Sequence, residues 1–329
     1  MKVLIIGNRK RYEKFMPHLP FMQTLEIVYC PRDAEDDVLL QNGKDADVIM
    51  IDPTVKLNPD IVAMMPSLKI IQSEGVGYEG IHHPSITEKG IYICNCKGAN
   101  ADAVAEQTIL LLLALLRDFI MGDQMVREGH QLETKERMMI EGIQEVADLK
   151  IGFIGFGDIA KATALRLSPF NCDMYYHTPH QKEASMEKAY KVTYCTRDQL
   201  AATCDVVIVL CQVTPETTGM INASFFEKMK PTAYLINTAR GEIVDNDALY
   251  HAIISEQIKG AALDTLSPIP VTKDNILLNL PSKYKGRIIF SPHIGGVTTR
   301  FFYKAHEANW RNVERIYKGE RPDRIVNGL

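Results

Sequence analysis

The chain has no long basic run, and its formal net charge is −4 over 329 residues. Nucleic acids and anionic membrane surfaces are bound through clustered Lys and Arg, so neither is expected as a partner. Long apolar runs are also missing. The longest, residues 109–116, makes about two turns of helix, and a bilayer span takes about 20 residues. The apolar run before Gly7 is too short for a secretory signal and suits a first buried strand. A cytoplasmic protein is therefore expected. Cys94 and Cys96 have no second pair and no nearby His, so no metal site is expected. The seven cysteines, an odd number, read as reduced and mostly buried thiols. There is no low-complexity tract and no short-period repeat. A hydrophobic content of 46% and a charged content of 24% are globular values, and the length allows two domains.

What is present is an alternation of short apolar runs and helical stretches. Strands are expected at 3–6, 26–29, 47–51, 68–72 and 91–94, with helices such as 34–41 and 59–65 between them. Such alternation builds a parallel sheet with helices on its faces. Gly7 closes the first strand, but no second glycine follows at the offset a dinucleotide turn needs. A helix at 101–117 is apolar almost all round, as in a helix joining domains or lying in a subunit interface. Residues 118–148 are more polar and read as an excursion without chemistry. A second series runs from 150 to about 295, with strands at 150–154, 173–176, 206–210, 233–236, 260–263 and 287–290. A final helix is expected at 298–318.

The most informative stretch opens this second series. Ile151, Phe153 and Ile154 form a short apolar strand that runs into Gly155-x-Gly157-x-x-Ala160, and a helical segment follows at once. Gly155 permits a tight turn, Gly157 lets the backbone approach a pyrophosphate, and Ala160 lets the helix pack close to its strand. The strand–turn–helix context makes the short motif informative.

Three further stretches follow later strands of the same series, where open α/β sheets bind ligands. They are Asn237-Thr238-Ala239-Arg240-Gly241, Asp264-Thr265-Leu266-Ser267-Pro268-Ile269-Pro270 and Ser291-Pro292-His293-Ile294-Gly295-Gly296. Arg grips carboxylates with two parallel bonds, and His moves a proton near neutral pH. With a dinucleotide site, this set points to hydride transfer with acid–base help. His82 and His83 read as a solvated turn before Pro84.

The chain resembles the D-isomer-specific 2-hydroxyacid dehydrogenase family along essentially its whole length. The resemblance rests on Gly75-Val-Gly77-Tyr, Asn95-x-x-Gly98-Ala-Asn100, Val104-Ala-Glu106, Gly152-x-x-Gly155-x-Gly157, Thr214-Pro-Glu-Thr217, Asn237-Thr-Ala-Arg240-Gly241, Ala262-Leu-Asp264 and Pro292-His-Ile-Gly-Gly296. It implies two domains. Residues 1–99 with 297–329 would form a flavodoxin-like substrate domain, and 100–296 a doubly wound Rossmann dinucleotide-binding domain. Arg240 would bind the carboxylate of a 2-oxo acid, helped by the backbone of Gly75, Val76 and Gly77. His293 would be the general acid/base. Gly155, Phe156, Gly157, Asp158 and Ile159 would form the pyrophosphate turn, and His177 and Thr178 would meet the ribose. Cys211, Thr217, Thr238, Ala239, Asp264 and Gly295 would line the rest of the cofactor path, with Asp264 on the nicotinamide carboxamide. A homodimer through 101–117 is expected.

Two positions depart from the family pattern. Where the family usually carries a Glu after the Asp264 position, this chain has Ile269, followed by Pro270. A carboxylate beside an imidazole favours the imidazolium, which ketone reduction consumes. The exchange predicts a lower pKa for His293, a substitute acid such as Glu307, or a dinucleotide-binding sensor that has lost turnover; the enzyme is the favoured reading. NAD sites also place Asp or Glu about 20 residues after the glycine turn, and His177 stands there. With Thr178, His180 and Lys182 it could receive a 2′-phosphate, so NADP is favoured over NAD. A solvated loop with little discrimination is the alternative. Gln212 stands where the family often has Pro.

Overall fold

The computed structural model describes all residues, Met1–Leu329, and separates into two compact units. One comprises Met1–Asn100 with Thr298–Leu329, the other Ala101–Val297.

The first unit is built on strands β1 (Lys2–Ile6), β2 (Glu26–Cys30), β3 (Val48–Ile51), β4 (Ile70–Ser73) and β5 (Tyr92–Cys94). All pair in parallel, in the order β2-β1-β3-β4-β5. This is the flavodoxin-like arrangement. Successive side chains of a strand point to opposite faces, and both faces are covered. Leu4, Ile6, Ile49 and Ile51 enter one core, while Val3, Ile5, Val48 and Met50 enter the other. The helix Thr299–Tyr317 buries Trp310 and Val313 in the latter.

The second unit carries β6 (Lys150–Ile154), β7 (Asp173–His177), β8 (Val192–Tyr194), β9 (Val206–Val209), β10 (Tyr234–Asn237), β11 (Gly260–Leu263) and β12 (Ile288–Phe290). The order is β12-β11-β10-β9-β6-β7-β8, all parallel. Read from β8 it is the doubly wound dinucleotide-binding order, extended by one strand. The expected α/β class is borne out. The sequence reading found six of these seven strands and missed β8. That strand has three residues, and only Val192 of them is buried, so no apolar run marks it.

The helix Ala101–Leu116 packs most of its apolar surface inside its own unit. Leu111, Leu112, Leu115 and Leu116 join the core beneath β6, and Leu110 stays exposed. Exposed apolar side chains cluster instead on the next two helices, Phe119–Arg127 and Gln131–Glu141. They include Phe119, Ile120, Leu132, Met139 and Ile140.

Candidate active site

β6 delivers the chain to Gly155, which has φ +90. A Cβ there would lie 2.7 Å from the backbone nitrogen of Cys211, so glycine is required by both conformation and space. A Cβ on Gly157 would meet nothing within 4 Å. That open space is what a pyrophosphate needs at a helix N-terminus. Gly157 caps the helix Asp158–Leu167, whose Ala160 is buried against the sheet. Phe156 is buried too, packed on Tyr176 and Tyr190, so only its backbone is available to a ligand. Asp158 is exposed and Ile159 half-buried.

At the end of β7 the His177 ring contacts the carbonyl of Cys195 through Nδ1 at 3.1 Å and stacks on Tyr194. A carbonyl only accepts, so Nδ1–H donates. Thr178 is buried and its hydroxyl donates to the carbonyl of His180. His180 and Lys182 are exposed. After β9 the hydroxyl of Thr217 donates to the carbonyl of Gln212 and accepts the N–H of Thr214, both at 2.7 Å. It shapes the loop that begins at Cys211. Thr238 is bonded to Thr108 at 2.8 Å, tying the loop after β10 to the helix Ala101–Leu116. The N–H of Ala239 is held by the Asn237 side chain.

Arg240, Asp264 and His293 follow β10, β11 and β12. These three strands are neighbours and run parallel, so the sheet brings all three residues to one edge. Arg240 is half-buried, and its Nη1 donates to the carbonyl of Ala239 at 2.8 Å. A Cβ on Gly241 would strike the Leu266–Ser267 backbone at 2.2 Å. Glycine there lets the loops after β10 and β11 touch.

Asp264 does something the sequence did not reveal. It is 2% exposed, and its carboxylate accepts the hydroxyl of Ser291, the N–H of Ile294 at 3.0 Å and the N–H of Gly295 at 2.8 Å. These bonds bracket His293, whose φ is +58. Gln107 adds a bond to Ser291 at 3.1 Å. Asp264 therefore organises the turn that presents the imidazole. One acceptor site on Oδ2 is left for a ligand. Ile269 is 51% exposed, whereas Leu266 packs against the core.

The first unit carries Gly75, Val76 and Gly77 after β4. All three loop carbonyls are occupied: Gly75 accepts from Cys96 N, Val76 from the Asn95 side chain, and Gly77 from the Ser73 hydroxyl. The N–H groups of Val76 and Gly77 make no bond within the chain. The loop thus offers donors, as an anion requires. Sequence reasoning missed Arg11, Glu74 and His306 beside it. Glu307, considered as a substitute acid, is exposed and pairs with Arg311 at 3.9 Å. His83 caps the helix Pro84–Glu88 by accepting the N–H of Ser85.

All seven cysteines are free thiols. Burial pushes those of Cys94, Cys96 and Cys204 up to about 12. No helix is long and apolar enough to cross a membrane.

A doubly wound sheet with a glycine turn, and an Arg, an Asp and a His at one edge, define a dinucleotide-binding oxidoreductase. Residues 109–295 match the model of the D-isomer specific 2-hydroxyacid dehydrogenase NAD-binding domain. A glyoxylate reductase of Thermofilum pendens is 33% identical over 88% of this chain and 84% of its own length. One from Thermococcus onnurineus is 31% identical over 99% of this chain and 96% of its own. Among solved structures, an NADPH-dependent glyoxylate/hydroxypyruvate reductase from Sinorhizobium meliloti, in complex with NADP and malonate, is 25% identical. It superposes with a TM-score of 0.80 over 99% of this chain and 96% of that one. The chain belongs to the D-isomer-specific 2-hydroxyacid dehydrogenases and is a nicotinamide-dependent enzyme.

Proposed function

We propose that the enzyme reduces a 2-oxo carboxylate to the D-2-hydroxy acid with hydride from a reduced nicotinamide cofactor. The observation that carries this reading is the shared edge of β10, β11 and β12, with Arg240 and the organised His293 turn on it. Arg240 binds the substrate carboxylate and polarises the carbonyl, with the free N–H groups of Val76 and Gly77 as further donors. His293 donates a proton to the carbonyl oxygen as it becomes an alkoxide, and removes it in the reverse direction. The turn Gly155, Phe156, Gly157, Asp158 and Ile159 would hold the pyrophosphate. The cofactor supplies the hydride. Cys211, Thr217, Thr238, Ala239 and Gly295 line its path largely through backbone, because both threonine hydroxyls are engaged internally. Small acids such as glyoxylate are the first substrates to try, from the names of the relatives.

NADP is the favoured cofactor, because His177, and no carboxylate, stands at the end of β7. His177 has its Nδ1–H committed to Cys195, so only Nε2 is left to a ligand. His177→Ala should therefore lower the ratio of kcat/KM for NADPH over NADH. An unchanged ratio in His177→Ala would rule out this role. A cytoplasmic homodimer using the exposed apolar helices after residue 118 completes the reading.

The test is oxidation of NADPH and NADH against a panel of 2-oxo acids from pH 5 to 9, with His293→Ala beside the wild type. The reduction rate should fall as pH rises and the imidazolium is lost. His293→Ala should lose about 10²–10⁴-fold in kcat. Binding of dinucleotide without turnover of any acid would favour a sensor instead, the reading that Ile269 in the family's Glu position supports.

A further inference from the structure

The loops after β3 and β4 are joined by a charge cluster that the mechanism above does not use. Asp52, just past β3, is 5% exposed, and Glu74, just past β4, is 2% exposed. Arg11 lies between them, on the helix Arg9–Phe15. Its Nε donates to Glu74 at 3.0 Å, and its Nη2 reaches both the second oxygen of Glu74 and Asp52, the latter at 2.7 Å. His306, fully buried on the helix Thr299–Tyr317, contacts Glu74 from the other side through Nε2 at 2.8 Å. Asp52 also accepts the N–H and hydroxyl of Thr54.

Glu74 directly precedes Gly75, and Pro53 directly follows Asp52. A Cβ on Gly75 would lie 2.7 Å from the Pro53 ring, so the two loops meet tightly at this point. Their spacing depends on the one cation that bridges them. Without it, two buried carboxylates would face each other without the guanidinium that compensates them.

We propose that Arg11 is the positioning residue of the substrate loop: its guanidinium locks the loops after β3 and β4 together and so fixes the N–H groups of Val76 and Gly77. The inference rests on the reading that residues 75–77 bind the substrate carboxylate. Arg11 itself touches no substrate. Its charge is already balanced by Asp52 and Glu74, so it acts through loop geometry, for which a displacement of about 1 Å is enough to cost up to 10²-fold. Lys at this position keeps the charge but loses the fork that serves two carboxylates at once.

Arg11→Ala and Arg11→Lys should be compared with wild type in steady-state reduction of glyoxylate by NADPH. Arg11→Ala is expected to raise KM for glyoxylate about tenfold, with kcat within about threefold and KM for NADPH unchanged. Arg11→Lys should fall between, and added guanidinium should lower KM in Arg11→Ala but not in wild type. A folded Arg11→Ala protein with wild-type KM, or one whose KM for NADPH rises equally, overturns the proposal. If Arg11→Ala does not fold, Arg11→Lys decides by the same criterion. Amide hydrogen exchange separates this inference from the functional reading. Glu74, Gly75 and Cys96 should exchange faster in the variant while Ile71, inside β4, is unchanged. Equal protection at all four sinks the loop lock, whereas a wild type that reduces no 2-oxo acid sinks the functional reading and leaves the exchange result to decide the lock.

Discussion

At the scale of single residues, Asp264 is where charge and backbone geometry meet. His293 sits in the left-handed region, where a side chain costs about 1–2 kcal/mol. The Ser291 hydroxyl and two N–H groups converge on one buried carboxylate and hold it there. Asn has the same shape, but its NH2 is a donor, and in this pocket it must face a donor. Asp264→Asn should therefore release the turn and lower kcat about 10²-fold, the low end of what a general acid supplies. Losing bonds to a charged group should also cost about 1.5–3 kcal/mol of stability. Steady-state kinetics and dinucleotide titration together test the point. A fall in kcat with unchanged dinucleotide affinity is expected. A parallel loss of affinity would mean that Asp264 acts chiefly on the nicotinamide. The sequence located Asp264 at a strand end yet did not show that it holds His293, because its partners lie 27–31 positions away. Arg11 was hidden for the same reason, with Glu74 63 positions distant.

At the scale of elements, the turn after β6 contains two glycines with different jobs. Gly155 is required by the fold, whereas a side chain at Gly157 would meet open space. Gly155→Ala combines a positive φ with a collision against the Cys211 backbone. It should destabilise the protein by about 2–5 kcal/mol, the sum of backbone strain and overpacking. Gly157→Ala should unfold at nearly the wild-type temperature yet bind NADPH at least about tenfold more weakly, since one added methyl displaces the pyrophosphate from the helix N-terminus. Thermal melts and NADPH titration of both variants check this, and a tight-binding Gly157→Ala protein would place the pyrophosphate elsewhere. This strand–turn–helix unit was legible because its apolar run, glycines and small Ala160 are contiguous. The threonines were less legible. Thr217 and Thr238 lie near the expected cofactor path, but their hydroxyls bind Gln212 and Thr108, and spacing alone cannot tell a cofactor contact from a loop brace.

At the scale of the whole molecule, both sheets are parallel because strands alternate with helices, and that alternation was plain in the pattern of apolar runs. What it did not convey was which surface the apolar helix serves. Ala101–Leu116 is apolar nearly all round because its own unit covers most of it. The next two helices carry fewer apolar residues but leave them uncovered, with Leu132 at 77%, Met139 at 68% and Ile140 at 79% exposure. Exposed apolar groups of this size, gathered on consecutive helices, are what the proposed homodimer would cover. In a homodimer the wild type should run in light scattering at twice the chain mass of 37.0 kDa. Leu132→Glu combined with Ile140→Glu places charges where burial would desolvate them, and should shift the mass to that of one chain. Both side chains are solvent-exposed within the protomer, so the melting temperature of the variant monomer should reflect only the loss of the interface. A wild type that already runs at the single-chain mass would remove the dimer from the reading, and a variant that remains dimeric would move the interface off these helices.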